Sequence, residues 1–387
     1  VEEGNWLKPE ACSSSIPVLD DVEAVRMIDK GNMRLMISSF PALLKEAVEL
    51  SRGLRLPEDY RNAKEIIVCG MGGSAIGGDL FKDLSQVMSP LRVSVIRDYD
   101  LPRHVDENSL VVAVSYSGNT EETLESFKQA YERGSRIIGI ASNGLLGKAC
   151  SKLKIPFIGV PSGYTPRSAL PLLFIPLLKV AEEIGFPMVG EGELAEAHRL
   201  IEEYNSKLTP EVPLSRNPAK QLAARLHQKL PIIYSMGHLK SVALRYKDQI
   251  NENAKMRAMC DQLPEANHNE VEAWEKVDFK ELLHVVFIDS RFKNPYIAES
   301  VNNLVSKIEK EGVGLSMVKP LGGTMLEEML SAIILGDWAS YYLAILRGVD
   351  PAPVSLISEL KKKHDEKTRY SEKFEEWLCK LGESGKT

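Results

Sequence analysis

After a mixed N-terminal stretch that predicts helices over about 21–52, stopping at Gly53, the chain falls into short β-branched runs separated by stretches of helical period. The runs are EIIVC (65–69), RVSVI (92–96), LVVAVS (110–115), RIIGIAS (136–142) and KIPFIGV (154–160). Each is almost continuously apolar, as a strand covered on both faces must be, so the pattern predicts a parallel α/β sheet. The stretch after the third run, 121–133, predicts a helix closed by Gly134.

A polar-apolar helical pattern over 193–208 then meets Pro210, Pro213 and Pro218, where the missing N–H and the ring block helix continuation, and a domain boundary is expected there. Beyond it the same grammar returns in PIIYS (231–235), HVVFIDS (284–290) and VGLSMV (313–318), with helical patterns at about 239–260 and 294–311. IIVCGMG from residue 66 and IIYSMG from residue 232 both carry a strand into a Met-Gly turn, which predicts a tandem duplication. The apolar pattern over 325–347 carries Asp337 and stops at Gly348, as a core or interface helix does. From Lys361 onward the charge density predicts a solvated terminal helix. The expected divisions are an N-terminal helical segment (1–60), a first α/β domain (61–209), a second (210–350) and a C-terminal segment with a charged tail (351–387).

Composition narrows the function. A length of 387 residues, 44% of them hydrophobic, supplies core for two domains with no disulfide or metal staple. Lys plus Arg is 48 against 54 Asp plus Glu, a formal charge of −6 with no basic stripe, so no nucleic-acid partner is expected. The five cysteines, Cys12, Cys69, Cys150, Cys260 and Cys379, are scattered without a CxxC pair, which fits a reducing cytoplasm. Val1 and the four residues after it lack a basic segment leading into an apolar one. The longest apolar run, 169–178 with two prolines, is far short of a bilayer span, so neither secretion nor a membrane is expected.

Two strand-to-helix loops carry the candidate chemistry. Cys69-Gly70-Met71-Gly72-Gly73-Ser74-Ala75-Ile76-Gly77-Gly78 follows the first run and opens a helix. Glycines let backbone N–H groups approach an anion closely, and a helix N-terminus adds unpaired N–H groups with partial positive charge. Gly70, Gly72 and Ala75 also satisfy the loose GxGxxG/A dinucleotide pattern, with Asp98 near the place of a ribose-binding acid. A nucleotide-cofactor oxidoreductase therefore stays open at this loop, as does a plain tight turn. The third run ends in Ser115-Tyr116-Ser117-Gly118-Asn119-Thr120 before a second helix start. Neighbouring parallel strands deliver such loops to one C-terminal edge, so Ser74, Ser115, Ser117 and Thr120 can converge on one anion. Taken singly, each hydroxyl also reads as an ordinary N-cap. Together they favour a monophosphate ester, whose terminal oxygens need several donors, over a pyrophosphate held by one glycine loop.

GMGGSAIGG followed by SYSGNTEET resembles the sugar isomerase (SIS) domain, a flavodoxin-like fold that grips phosphosugars, over about 60–350 in two SIS-like halves. PSGYTPRSALP (161–171), INENAKMRA (250–258) and LPEANHNEVEAW (263–274) are similar to its bifunctional phosphoglucose/phosphomannose isomerase branch. The resemblance implies an α/β chain of two tandem flavodoxin-like SIS domains, each a parallel sheet flanked by helices. It also implies a cofactor-free, metal-independent isomerase of a hexose 6-phosphate, working as a homodimer with its site shared across the interface, and it adds Gly73 to the phosphate contacts.

Aldose-ketose interconversion requires ring opening, removal of a proton beside a carbonyl and its return to the neighbouring carbon through an enediolate. One carboxylate can perform both transfers while the remote phosphate is anchored, and the resemblance gives this part to Glu252. By composition alone Glu252 is a solvated helix carboxylate, although flanking apolar periodicity predicts a half-buried position. Ring opening suits a histidine near neutral pH, and His268, between Asn267 and Asn269 whose amides would fix its tautomer, takes that role in the resemblance. A fixed cation stabilises the enediolate, a part the resemblance gives to Arg167, otherwise a surface salt-bridge residue. The resemblance further implies a C-terminal lysine beside the substrate, which falls on Lys361, with Lys362 and Lys363 adjacent in register. The resembled branch also uses a C-terminal hydroxyl in epimerising C2, a part not assigned to any residue here, where the stretch reads Pro353-Val354-Ser355. No HxH, HExxH or clustered-acid motif calls for a metal. A sugar-phosphate sensor would need the hydroxyl loops without Glu252 and is the non-enzyme alternative.

Overall fold

The computed structural model describes residues 16–384; Cys12 and the first five residues, on which the expectation about secretion was drawn, lie outside them. Three helices come first: α1 (Val22–Ile28), α2 (Met33–Ser38) and α3 (Phe40–Arg52). A first α/β stretch follows, β1 (Glu65–Cys69), α4 (Ala75–Met88), β2 (Arg92–Ile96), β3 (Ser109–Val114), α5 (Glu121–Glu132), β4 (Arg136–Ala141), α6 (Gly144–Leu153), β5 (Phe157–Gly159) and α7 (Leu170–Glu183). The second comprises α8 (Glu191–Ser206), α9 (Pro218–Leu226), β6 (Leu230–Met236), α10 (Lys240–Asn253), β7 (Met259–Leu263), β8 (Leu283–Ile288), α11 (Pro295–Glu311), β9 (Gly314–Val318) and α12 (Met325–Leu346). Two helices close the chain, α13 (Ser355–Thr368) and α14 (Tyr370–Ser384).

These elements form two compact units, each discontinuous in sequence. Among the described residues, 42–194 with 354–384 make one, and 16–41 with 195–353 the other, so the proline-bearing connector at 210–218 lies inside the second unit.

In the first unit the sheet order is β2-β1-β3-β4-β5, all parallel. The chain leaves β1 first toward β2 and then, by crossing back, toward β3. This reversal is the switch point at which open α/β sheets leave a crevice beyond the strand ends. β3 is buried at every position, and β1 at all but its first, as their apolar runs require.

The second unit repeats the plan with the order β7-β6-β8-β9, again all parallel. β7, unforeseen in the sequence, reads MCDQL and lies at the sheet edge, where a strand needs no continuous apolar run. The helix expected over 239–260 stops at Asn253, because Lys255 enters the left-handed region at φ 53° and the chain turns into β7. α12 is apolar enough to cross a membrane by length and composition, but its window is wholly buried inside the protein, as expected of a core helix. Its buried Asp337 accepts from Arg245 Nε at 3.0 Å, Arg245 Nη2 at 2.6 Å and Gln249 Nε2 at 2.7 Å. Such pairing lets a charge stay in a core helix.

The charged tail departs from its expected reading. α13 has no buried residue, but α14 turns back onto its unit and inserts Phe374 and Leu378, 1% and 6% exposed, into the cluster that contains Leu124 and Phe127.

Candidate active site

β1 and β3 are neighbours with Cys69 beside Ala113, so the loops that follow them leave one edge side by side. Gly72 takes φ 49°, a left-handed turn that swings the chain through one 3-10 turn (Gly72–Ser74) into α4. Ser74 is the N-cap of α4, yet its side chain makes no capping bond; its Oγ accepts the Tyr116 N–H at 3.1 Å. Thr120, the N-cap of α5, also makes no side-chain cap, and its Oγ1 accepts the Ser115 hydroxyl at 2.9 Å. Ser115 Oγ in turn accepts the N–H groups of Gly118 at 3.1 Å and Thr120 at 3.4 Å. The ordinary N-cap reading therefore fails at both helices. Their first turns keep N–H groups that their own caps do not take, which is what an anion site requires.

The hydroxyls are not equivalent. Ser74 and Ser115 are buried and build the loops, Thr120 is half-buried, and Ser117 is exposed with its Oγ accepting the Asn119 N–H at 3.3 Å. Gly73 joins them to a third segment. A side chain there would put Cβ 2.8 Å from the Arg167 backbone nitrogen and 2.8 Å from the Pro166 carbonyl carbon, so only glycine lets these strands of backbone touch. Arg167 is thereby held against the glycine loop, 4% exposed, at the entrance to α7.

Tyr116, which lies between Ser115 and Ser117 and shows no motif signal of its own, organises all three segments. Its N–H binds Ser74, its carbonyl accepts the Ser142 N–H at 2.9 Å and the Ser142 hydroxyl at 2.8 Å, and its own hydroxyl donates to the Pro161 carbonyl at 2.9 Å. The Tyr164 N–H completes the hub by donating to that hydroxyl at 3.0 Å. Burial raises the phenol's pKa above its ordinary value, so it stays a donor across neutral pH.

Asp98, the acid of the dinucleotide reading, accepts the N–H of its own neighbour Tyr99 at 2.7 Å. Lys361 is exposed on α13. His364, three residues on and so on the same helical face, lies with Nε2 3.0 Å from Tyr99 Oη and 3.2 Å from Glu121 Oε2. Lys362 instead approaches Glu366 at 4.0 Å. Burial pushes the thiols of Cys69 and Cys150 up to about 12, which leaves both unreactive.

The other candidates belong to the second unit. Glu252 sits in the last turn of α10, half-buried as its periodicity predicted. That helix is fixed to α12 by the Asp337 contacts and by Asn253 Nδ2 donating to Ser340 Oγ at 2.9 Å. His268 is exposed at the end of a 3-10 turn (Glu265–His268). The amides beside it do not orient its ring: Asn267 Nδ2 donates to the Ser300 carbonyl at 3.4 Å and Asn269 Nδ2 to Glu265 Oε1 at 3.0 Å. The expected tautomer lock is therefore not formed by these amides, which are bound to Ser300 and Glu265.

The switch-point edge of the second sheet is filled by protein. Glu328, 1% exposed in the first turn of α12, accepts the Ser290 hydroxyl at 2.7 Å and the Arg291 N–H at 3.1 Å, with His238 Nε2 at 3.1 Å. Burial pushes this carboxyl up, but the hydrogen bonds from His238, Ser290 and Arg291 outweigh it and hold the pKa below the ordinary range. Among the described residues no group of three or more His, Cys, Asp or Glu side chains is arranged to hold a metal ion.

Known proteins resemble this chain in sequence and in fold. The SIS domain family matches residues 59–145, and the family described as the bacterial phospho-glucose isomerase C-terminal SIS domain matches 215–363. A hypothetical protein from Thermus thermophilus superposes with a TM-score of 0.68 at 16% identity over 90% of this chain and 94% of its own, a likeness of fold. A bifunctional phosphoglucose/phosphomannose isomerase from Caldicellulosiruptor bescii is 34% identical over 84% of this chain and 97% of its own length. One from Aquifex aeolicus is 35% identical over 80% of this chain and 94% of its own. With both sheets, both loops and nearly the full length of these relatives accounted for, the chain belongs to the bifunctional phosphoglucose/phosphomannose isomerase family.

Proposed function

We propose that the chain interconverts glucose 6-phosphate, and also mannose 6-phosphate, with fructose 6-phosphate through a cis-enediolate. The observation that carries this reading is the meeting of the glycine loop, the hydroxyl loop and the Arg167 segment at one sheet edge, with two helix starts left uncapped by their own side chains. Gly73, Ser74, Ser115, Ser117 and Thr120 form the phosphate cradle, in which Ser115 shapes the loop from within while Ser117 and Thr120 meet the ester. The cradle supplies orientation, which converts proton transfer into an effectively intramolecular step.

Glu252 moves the proton between C1 and C2, His268 assists ring opening and Arg167 offsets the charge that builds on the two oxygens. Lys361 is the C-terminal lysine beside the substrate, a placement favoured by the face it shares with His364. The scheme uses no cofactor and no metal. The working form is a homodimer in the reducing cytoplasm, with His268 offered to the site of a second copy. The free thiols at Cys69, Cys150, Cys260 and Cys379 favour that compartment.

The test is to offer fructose 6-phosphate in the presence of chelator and to follow both aldose products. Glu252→Gln should lose turnover by about two to four orders of magnitude, the range of general-base catalysis, while still binding the sugar phosphate. Binding without turnover in the unaltered chain would instead make it a sensor.

A further inference from the structure

The match to the C-terminal family ends at residue 363. The residues beyond it are joined in detail to the helix that begins the phosphate cradle. Glu121, Glu125 and Glu132 lie four and seven residues apart, on one face of α5. Each meets a different donor of the C-terminal helices. Glu121 accepts the Thr368 hydroxyl at 3.3 Å and 3.4 Å on its two oxygens and has His364 Nε2 at 3.2 Å. Glu125 accepts the Tyr370 hydroxyl at 2.7 Å, and Glu132 the Trp377 indole N–H at 3.1 Å. Phe374 packs beneath this row against Phe127 at 6.4 Å between ring centroids, and Lys148 of α6 pairs with Glu375 at 3.0 Å.

The row is anchored where binding would feel it. Glu121 is the first residue of α5, directly after Thr120, and the next in the row, Glu125, is one turn further on. A carboxylate at that place is favourable for the helix but opposes a phosphate dianion drawn to the same N-terminus. In this chain His364 and Thr368 hold it from the far side, and Tyr99 shares the His364 nitrogen.

We propose that residues 364–378 act as a strap that positions the start of α5 for the phosphate ester. His364 and Thr368 are its positioning residues and restrain the Glu121 carboxylate. This inference rests on the proposed phosphate site. It assigns to the C-terminal extension a part in substrate affinity and none in proton transfer.

The experiment uses the full chain and inorganic phosphate as a competitive probe beside fructose 6-phosphate. In the double variant His364→Ala, Thr368→Ala, the KM for fructose 6-phosphate and the Ki for phosphate should rise together by about tenfold, the equivalent of one lost charge-assisted hydrogen bond. The value of kcat should stay within about twofold, since no reacting group is altered. His364→Gln, which keeps a donor, should retain most of the affinity. Adding Glu121→Gln to the double variant should restore binding, because the charge needing restraint is gone. A Ki for phosphate that does not move, whatever happens to the melting temperature, overturns the strap, as does a rise that Glu121→Gln leaves in place. If the unaltered chain neither isomerises nor is inhibited by phosphate, the phosphate site itself fails, and that result is distinct from the other two.

Discussion

Ser74 Oγ takes the backbone N–H of Tyr116 at 3.1 Å, and this one bond joins the glycine loop after β1 to the hydroxyl loop after β3. In the proposed cradle the serine would thus serve twice, as an oxygen that fixes the neighbouring loop and as a hydroxyl that can still donate. Replacing it by alanine leaves a buried N–H unpaired and removes a donor. Ser74→Ala should raise the KM for fructose 6-phosphate and the Ki for inorganic phosphate by about tenfold or more, with a much smaller effect on kcat. Steady-state kinetics with phosphate as inhibitor would check it, and an unchanged Ki would remove Ser74 from the cradle.

Arg167 offers the opposite kinetic signature. Its backbone is wedged against Gly73, so a lysine in its place keeps the loop but replaces a planar fork by a point charge. The expected outcome for Arg167→Lys is a fall of about a hundredfold in kcat with KM changed far less, as for a group whose interaction strengthens with the developing charge. Equal losses in binding and turnover would make Arg167 a ground-state contact instead.

Phe374→Ala tests the packing of the tail. The ring is 1% exposed beside Phe127, and truncating a buried phenylalanine costs about 3–5 kcal/mol. Denaturant unfolding should report a loss of that order. A change below about 1 kcal/mol, the size seen for solvated positions, would return the tail to its expected reading.

His284 gives a pH dependence. It lies in β8, 6% exposed, with Nε2 2.9 Å from Ser316 Oγ. Burial, aided by the positive charges of Arg225 and Lys229, pushes its pKa down to about 4 from the ordinary 6.5. Between these values the unfolded chain binds a proton that the folded chain does not, so stability is full above pH 6.5 and declines as pH falls toward 4. The loss is about 3 kcal/mol. Melting temperatures across that window should fall in the unaltered protein and flatten in His284→Gln; parallel curves would contradict the assignment.

What could be read from the sequence follows the physics of covering. Strands such as EIIVC and LVVAVS declare themselves because both faces are buried and no polar residue interrupts them. MCDQL does not, since an edge strand keeps polar positions and its identity comes from pairing with β6. The meeting of the two loops was legible in outline, because neighbouring parallel strands deliver the segments that follow them to one sheet edge. Tyr116 was not, as its contribution is made largely through backbone groups and a hydroxyl that reaches a distant loop. In the tail, Tyr370, Phe374, Trp377 and Leu378 recur at one helical face. That stripe was present among the charges and would have forecast a docked helix.

The order in which the chain emerges from the ribosome gives the discontinuous first unit a cost during synthesis. Leu124 and Phe127 are made early, whereas Phe374 and Leu378, which close the same cluster, come only after the entire second sheet has been translated. Through that interval the nascent chain carries a bare aromatic patch, the kind of surface that chaperones hold and that aggregation exploits. Fragments ending before α14 should therefore be poorly soluble even where their strands are complete.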